Sequence, residues 1–245
     1  MSEIRYTTPS GVEVCAVTSE QMREIDRIAV EETGPNLYQM MENAGRTLAL
    51  HTIETLGNSW SRSRVLVLAG GGGNGGGGIC AARHLGNRMK SVTICLSSPD
   101  HLSDVTKYQL KIFKEMNGLI IDAGKLPEKK YDVIIDALIG YSLRSKPEGM
   151  PAELISWANQ SKIPIISLDV PSGVDATTGE TPGDFINPEQ TLTLALPKTG
   201  LLPGKTGELF LADIGIPVFV FERAGVRYTS PFGDSFMVRL YSKST

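Results

Sequence analysis

Val65-Leu66-Val67-Leu68-Ala69-Gly70-Gly71-Gly72-Gly73-Asn74-Gly75-Gly76-Gly77-Gly78-Ile79-Cys80 is the stretch that decides how this chain folds. Its four leading apolar residues read as a strand buried on both faces, which is how strands look in a parallel sheet covered by helices. The glycines that follow stand between this strand and the apolar start of a helix, expected from about Ile79 to Leu85. A flexible linker would join domains, whereas this run joins a strand to a helix. Glycine admits positive φ and lets backbone N–H groups come close to a guest. The helix N-terminus beyond it adds a partial positive charge. Together these predict a cradle, Gly70 to Gly78, for a phosphorylated small molecule.

Working outward, the same alternation of strand and helix repeats. Upstream, Thr18-Ser19-Glu20-Gln21 offers a cap ahead of Met22, Ile25, Ile28 and Ala29, which recur at helical spacing. Gly34-Pro35 breaks that helix, and a second runs from near Asn36 towards Leu56-Gly57. Downstream, strands are expected at Ser91–Leu96, Leu119–Ile121, Val133–Leu138, Ile163–Val170, Thr191–Leu196 and Leu209–Ala212, with helices at Leu102–Met116 and Ala152–Gln160 between them. Strands and helices alternating in this way imply right-handed crossovers and a mostly parallel sheet. The expected fold class is a single α/β domain, a Rossmann-like three-layer sandwich. Within it, residues 1–60 form a helical N-terminal extension, 61–217 the core and 218–245 a C-terminal tail.

Composition narrows the classes of function. The chain has 245 residues with a formal net charge of −3, which provides no field to gather nucleic acid or an anionic membrane. No apolar run reaches the roughly 20 residues that cross a bilayer. The N-terminal residues show neither a signal-peptide apolar core nor an Arg-rich amphipathic stretch. Cys15, Cys80 and Cys95 lie far apart and make no metal spacing; Cys80 and Cys95 sit in apolar surroundings, so buried free thiols in a cytoplasmic protein are expected. His51, His84 and His101 are scattered and read as structural.

Two familiar phosphate loops do not fit the glycine run. A Walker loop needs Lys-Ser/Thr after its last glycine, and Ile79-Cys80 stand there. A dehydrogenase wants an acid at the end of the second strand to hold the ribose, where this chain has Leu96-Ser97-Ser98. Hydride transfer is therefore not expected.

In doubly wound sheets, ligands sit beyond the carboxyl ends of the strands. Asp136, after Val133-Ile134-Ile135, and Asp169, opening Asp169-Val170-Pro171-Ser172-Gly173-Val174-Asp175, are the acids at such ends. Each alone is equally a cap or turn residue. Asn74, Asp136 and Ser172 together offer only oxygen donors, a set that suits a hard cation better than zinc. Lys198, in Leu196-Pro197-Lys198-Thr199-Gly200, follows another strand and either meets an anionic group or is a solvated surface lysine.

These residues resemble the YjeF N-terminal domain family, whose enzyme members are NAD(P)H-hydrate epimerases and whose relatives include the apolipoprotein A-I-binding protein. The resemblance runs from about Val17 to Pro217. It rests on Thr18-Ser19-Glu20-Gln21-Met22, Met41-Glu42-Asn43-Ala44-Gly45-Arg46, Ala81-Ala82-Arg83-His84-Leu85, Asp136-Ala137-Leu138, the Asp169–Asp175 segment, Pro197-Lys198-Thr199-Gly200-Leu201 and Asp213-Ile214-Gly215-Ile216-Pro217. It implies a homodimer acting on hydrated NADH or NADPH (NADHX and NADPHX), interconverting the R and S forms at C6 of the damaged nicotinamide ring. It implies a potassium ion on the residues matching Asn74, Asp136 and Ser172. It further implies substrate binding along Gly73, Asn74, Gly75, Gly76 and Gly77, along the loop from Gly140 through Tyr141, Ser142, Leu143 and Arg144 to Lys146, and at Asp169. Asp169 would be the acid/base, with Lys198 as the second catalytic residue.

The chain departs from the family pattern in two loops. Where family enzymes carry Asn-Asn-Gly-Gly-Asp-Gly, this chain reads Gly73-Asn74-Gly75-Gly76-Gly77-Gly78, with an asparagine and an aspartate replaced by glycine. Tyr141-Ser142 stand where a smaller pair is usual. Two classes of function follow: an epimerase or related isomerase, or a non-catalytic protein that keeps the scaffold for ligand or partner binding. The aromatic tail from Val218 onward is expected to cap the sheet or a dimer.

Overall fold

The computed structural model describes residues 5–128 and 130–243; residues 1–4 of the expected extension and 244–245 of the expected tail lie outside them. A ten-stranded sheet runs through the molecule. In chain order its strands are β1 (Arg5–Thr7), β2 (Glu13–Cys15), β3 (Arg64–Ala69), β4 (Ser91–Leu96), β5 (Leu119–Ile121), β6 (Val133–Ala137), β7 (Ile165–Leu168), β8 (Gln190–Leu194), β9 (Glu208–Ala212) and β10 (Met237–Lys243). The helices are α1 (Ser19–Arg27), α2 (Leu37–Leu56), α3 (Gly73–Gly86), α4 (Asp104–Glu115), α5 (Met150–Ser161) and the short α6 (Val218–Arg223).

The spatial order is β2-β1-β10-β9-β8-β7-β6-β3-β4-β5. From β9 to β5 every pairing is parallel, and β10, β1 and β2 add an antiparallel edge. The chain leaves β3 for β4 on one side and later returns to β6 on the other. The switch point of a doubly wound sheet therefore lies between β3 and β6, and a crevice opens there at the strand carboxyl ends.

Alternation along β3 explains why a four-residue apolar run is needed. Val65 and Val67 face the core beneath α3, packed with Ile79, Ala82 and Leu85. Leu66 and Leu68 face the other way, onto Leu154, Ile155 and Ala158 of α5. Strand side chains alternate between faces, so a strand covered on both must be apolar throughout.

Three expectations are corrected. The glycine segment is not a turn as far as Gly78, because α3 starts at Gly73 rather than near Ile79. The N-terminal extension is not wholly helical, since the β1–β2 hairpin precedes α1. The tail adds a strand to the sheet, with β10 lying between β9 and β1. The cap expected before α1 is present as a reciprocal pair, with Thr18 Oγ1 accepting from Gln21 N at 3.2 Å and Thr18 N donating to Gln21 Oε1 at 2.9 Å. Asn36 and Gln39 cap α2 in the same way.

The glycines inside α3 are demanded by packing. A Cβ on Gly75 would lie 1.9 Å from the Gly70 carbonyl oxygen, and one on Gly78 would lie 2.4 Å from Ala137 Cβ. On the outer side, a Cβ on Gly76 would lie 2.6 Å from Met41 Cε of α2. Gly72 and Gly73 differ, because a Cβ there meets nothing within 4 Å. Nearby, Glu42 of α2 accepts from Arg83 at 2.5 Å and meets His84 Nε2 at 2.8 Å, tying α2 to α3. Cys80 and Cys95 are buried free thiols, as expected.

These contacts sort the glycines by experiment. Gly75→Ala forces a carbon into a backbone oxygen and lowers unfolding free energy by about 3 kcal/mol, the upper part of the overpacking range. Gly73→Ala, which meets open space, changes it by less than about 0.5 kcal/mol. Denaturant unfolding of both variants checks the contrast.

Candidate active site

The crevice at the switch point holds a cavity of about 320 Å³. Its floor is the first turn of α3 with Gly72, Gly73, Asn74 and Gly77, and one wall is the loop after β6 from Leu138 to Ser142. Leu168 and Asp169 close the end beyond β7, and Leu194 and Lys198 the end beyond β8. Helices α1 and α2 form the remaining wall with Met22, Asp26, Leu37, Met40, Met41 and Ala44. A cleft of about 360 Å³ lined by Arg5, Val14, Cys15 and Arg227 is of similar size, but it lies on the antiparallel edge, beside β1 and β2.

Asp169 and Lys198 form an ion pair that is nearly fully buried, at 5% and 1% side-chain exposure. This settles the two readings of Lys198: it meets an anion. The Lys198 backbone is fixed by a bridge to Val17, just ahead of α1. Its Nζ also donates to the Leu194 carbonyl at 2.9 Å. Asp169 has φ +66°, a left-handed conformation that a non-glycine residue adopts only when its surroundings impose it. That backbone turn presents the carboxylate to Lys198 and to the Tyr141 N–H, which donates to Oδ2 at 3.2 Å.

Asp136 lies within β6, fully buried one layer below the cavity, and is not among its lining residues. It accepts from Ser167 Oγ at 2.8 Å, Ser172 N at 2.9 Å, Ser172 Oγ at 2.5 Å and Leu138 N at 3.2 Å. Burial pushes its carboxyl above the usual carboxylate range, and the Ser172 hydroxyl pulls against that shift. No cation among the described residues pairs with it. Ser172 Oγ also accepts from Ile139 N at 2.8 Å, so the Asp136–Ser172 unit braces the start of the cavity loop.

Asn74 stands on the other side of that loop. A Cβ on Gly140 would lie 3.2 Å from both the Asn74 amide and Asp169 Oδ2, so glycine lets these two groups approach across the loop without displacing either. Asn74 Nδ2 is buried without a hydrogen-bond partner, an unspent donor beside the cavity.

The structure thus gathers Gly73, Asn74, Gly77, Gly140, Tyr141, Ser142, Asp169 and Lys198 around one space. It does not bring Gly75, Gly76, Leu143 or Arg144 to the cavity wall: the two glycines are packed inside α3, and Arg144 is exposed. Reading strand ends alone missed the wall from α1 and α2. Asp26 is its one acid, and its Oδ2 accepts from the Tyr141 hydroxyl at 2.6 Å. The signal was present in the sequence, since Asp26 follows Met22 by one helical turn and so shares its inward face.

A doubly wound α/β protein with its ligand cleft at the switch point is what this fold and this site define. The chain belongs to the family described as YjeF-related protein N-terminus, whose model matches residues 37–200. Over 97% of both chains it is 55% identical to the NAD(P)H-hydrate epimerase of Dehalogenimonas lykanthroporepellens. It is 37% identical to the NAD(P)H-hydrate epimerase of Weissella koreensis, across 82% of this chain and 91% of that one. The crystal structure of yeast ynu0 has the same fold, with a TM-score of 0.80 over 91% of this chain and 99% of that chain at 23% identity. The family read from the sequence motifs is borne out.

The buried pair gives a test of stability. Lys198→Met leaves the Asp169 charge buried without a cation and costs about 3–5 kcal/mol. The double variant Asp169→Asn/Lys198→Met loses less than that single change, because no unpaired charge remains. Chemical unfolding of the three proteins measures both.

Proposed function

We propose that the protein is an NAD(P)H-hydrate epimerase, interconverting the R and S forms of hydrated NADH and NADPH. The observation that carries this reading is the Asp169–Lys198 pair, buried at the end of a cavity whose floor is an open helix N-terminus, in a chain 55% identical to a protein of that name. The first turn of α3 has no side-chain cap, and Gly72 and Gly73 leave space beside it. Its free N–H groups suit the pyrophosphate of a dinucleotide. The apolar wall of Met22, Leu37, Met40 and Met41 suits the damaged nicotinamide ring.

In the reaction, the ring-nitrogen lone pair expels the C6 hydroxyl, and water returns on either face. Asp169 moves a proton to or from the C6 oxygen in these steps. Lys198 holds the Asp169 carboxylate in place and stabilises its charge. No hydride moves, in keeping with the missing ribose acid after β4.

A potassium ion held by Asn74, Asp136 and Ser172 belongs to the same proposal. Asp136 is a buried carboxylate without a cation, Ser172 adds a hydroxyl, and Asn74 adds an amide oxygen beside Gly140. These hard oxygen donors fit a monovalent ion, which when bound supplies positive charge at the cavity floor. Homodimer formation and a cytoplasmic location complete the reading, resting on the resemblance. Among the described residues, no helix is long and apolar enough to cross a membrane.

Gly77 favours keeping a second reading, a ligand-binding protein without catalysis. It lines the cavity, and a Cβ there meets only the mobile end of Leu168 at 2.9 Å. The acid that family enzymes carry at this position is absent here.

Two measurements decide. The purified protein is expected to interconvert R- and S-NADHX. Activity appearing only in Gly77→Asp would make the parent a disabled relative, and inactivity of both folded proteins would favour the binding role. Potassium is expected to raise the unfolding temperature relative to tetramethylammonium at equal ionic strength, because it binds only the folded state. Asp136→Asn should abolish that difference; an equal effect of both salts on the parent would remove the ion site.

A further inference from the structure

We propose that Asp26, held by the Tyr141 phenol, is a second acid/base group of this cavity and works with Asp169 on the oxygen that the epimerisation moves. The inference rests on the epimerase reading above. Asp26 lies on α1 with its side chain at the cavity wall, one turn beyond Met22. Its Oδ2 accepts from Tyr141 at 2.6 Å, while Oδ1 has no hydrogen-bond partner among the described residues. The Tyr141 loop is itself tied to α1, because Ser19 Oγ donates to the Tyr141 carbonyl at 3.2 Å.

The two acids of the cavity stand in different surroundings. Asp169 touches a buried ammonium, whereas Asp26 touches only a phenol. Burial pushes the Asp26 carboxyl up; the Tyr141 hydrogen bond and the Lys198 charge hold it down, and the Asp169 charge raises it. Arg23, on the same helix, faces Tyr141. Lys198 Nζ, paired with Asp169, lies 5.8 Å from the centre of the Tyr141 ring, whose hydroxyl holds Asp26. A carboxyl whose burial favours its neutral form, beside a carboxylate paired with a lysine, supplies the donor and the acceptor that acid/base catalysis needs.

The step balances. Asp26 gives its proton to the C6 oxygen as the C–O bond breaks. The bond pair leaves with that oxygen as water, and the ring-nitrogen lone pair forms a C=N bond. Water then adds to C6, the C=N pair returns to nitrogen, and the released proton passes to the Asp169 carboxylate. Nothing is oxidised or reduced; a turnover in the opposite direction returns the proton to Asp26, and between turnovers in the same direction it returns through solvent water.

A purely structural role, pinning the loop to α1, makes different predictions from catalysis. We would measure kcat and KM for R- and S-NADHX across pH for the full chain and for Asp26→Asn, Asp26→Glu and Tyr141→Phe. Asp26→Asn is expected to lower kcat by about 100-fold, the scale of one acid/base group, and to leave KM nearly unchanged. It should also lose the alkaline limb of the kcat profile, where the parent fades as Asp26 ionises, and Asp26→Glu should regain part of the rate. Tyr141→Phe removes a bond that favours the ionised carboxylate, so its alkaline limb moves to higher pH.

A parent that is active, with Asp26→Asn matching its kcat and profile, overturns the inference alone. An alkaline limb unmoved in Tyr141→Phe does the same, and decides the matter if Asp26→Asn does not fold. A parent inactive at every pH overturns the epimerase reading, and this inference falls with it.

Discussion

The approach of α3 to the sheet is the constraint on which the rest depends. The helix starts so close to β3 and β6 that Gly75 and Gly78 have no room for a single carbon. This approach places the helix N-terminus, with its unpaired N–H groups, directly over the switch point of the sheet. Asn74 reaches the cavity loop only because its helix begins there. In the interior of a helix each glycine costs roughly 1 kcal/mol relative to alanine. Four in succession are tolerated because strand, loop and α2 close in from every side.

The cavity adds a second organising principle, an unequal distribution of charge. Of the acids in or beneath the cavity, Asp169 carries its own cation, Asp136 is surrounded by neutral donors, and Asp26 leans on a phenol. Side chains of one chemical type are thereby set to different tasks by their neighbours alone. Breaking one partner disturbs the others, since Tyr141 touches Asp26 with its hydroxyl and Asp169 with its backbone N–H.

Much of this was legible in the sequence, and particular residues show where reading stopped. Ser91–Leu96 and Leu119–Ile121 have the strand limits expected from their apolar runs, because nothing in their context competes with the pattern. The glycine segment was located correctly, but its helical state was not foreseen: propensity argues against a helix through Gly75–Gly78, and tertiary packing overrides it. The hairpin of β1 and β2 escaped notice because strands of three residues show too little alternation, and β10 because the tail's aromatic residues suggested a cap. Lys198 could not be resolved from its neighbours in sequence, since burial depends on Val17 and Asp169, far away along the chain. Asp26 was missed by looking only at strand ends.

The cavity wall includes Met22 near one end of the chain and Ile214 near the other. Similarly, β1 pairs with β10 across more than two hundred residues. Loops of that length must close before the wall is complete, which places its assembly late and makes it a property of the whole chain. An emerging polypeptide that already carries its glycine helix and both central strands therefore still lacks a pocket. Ligand binding then reports completion of the fold, and a ligand present during synthesis would stabilise only molecules that have finished folding.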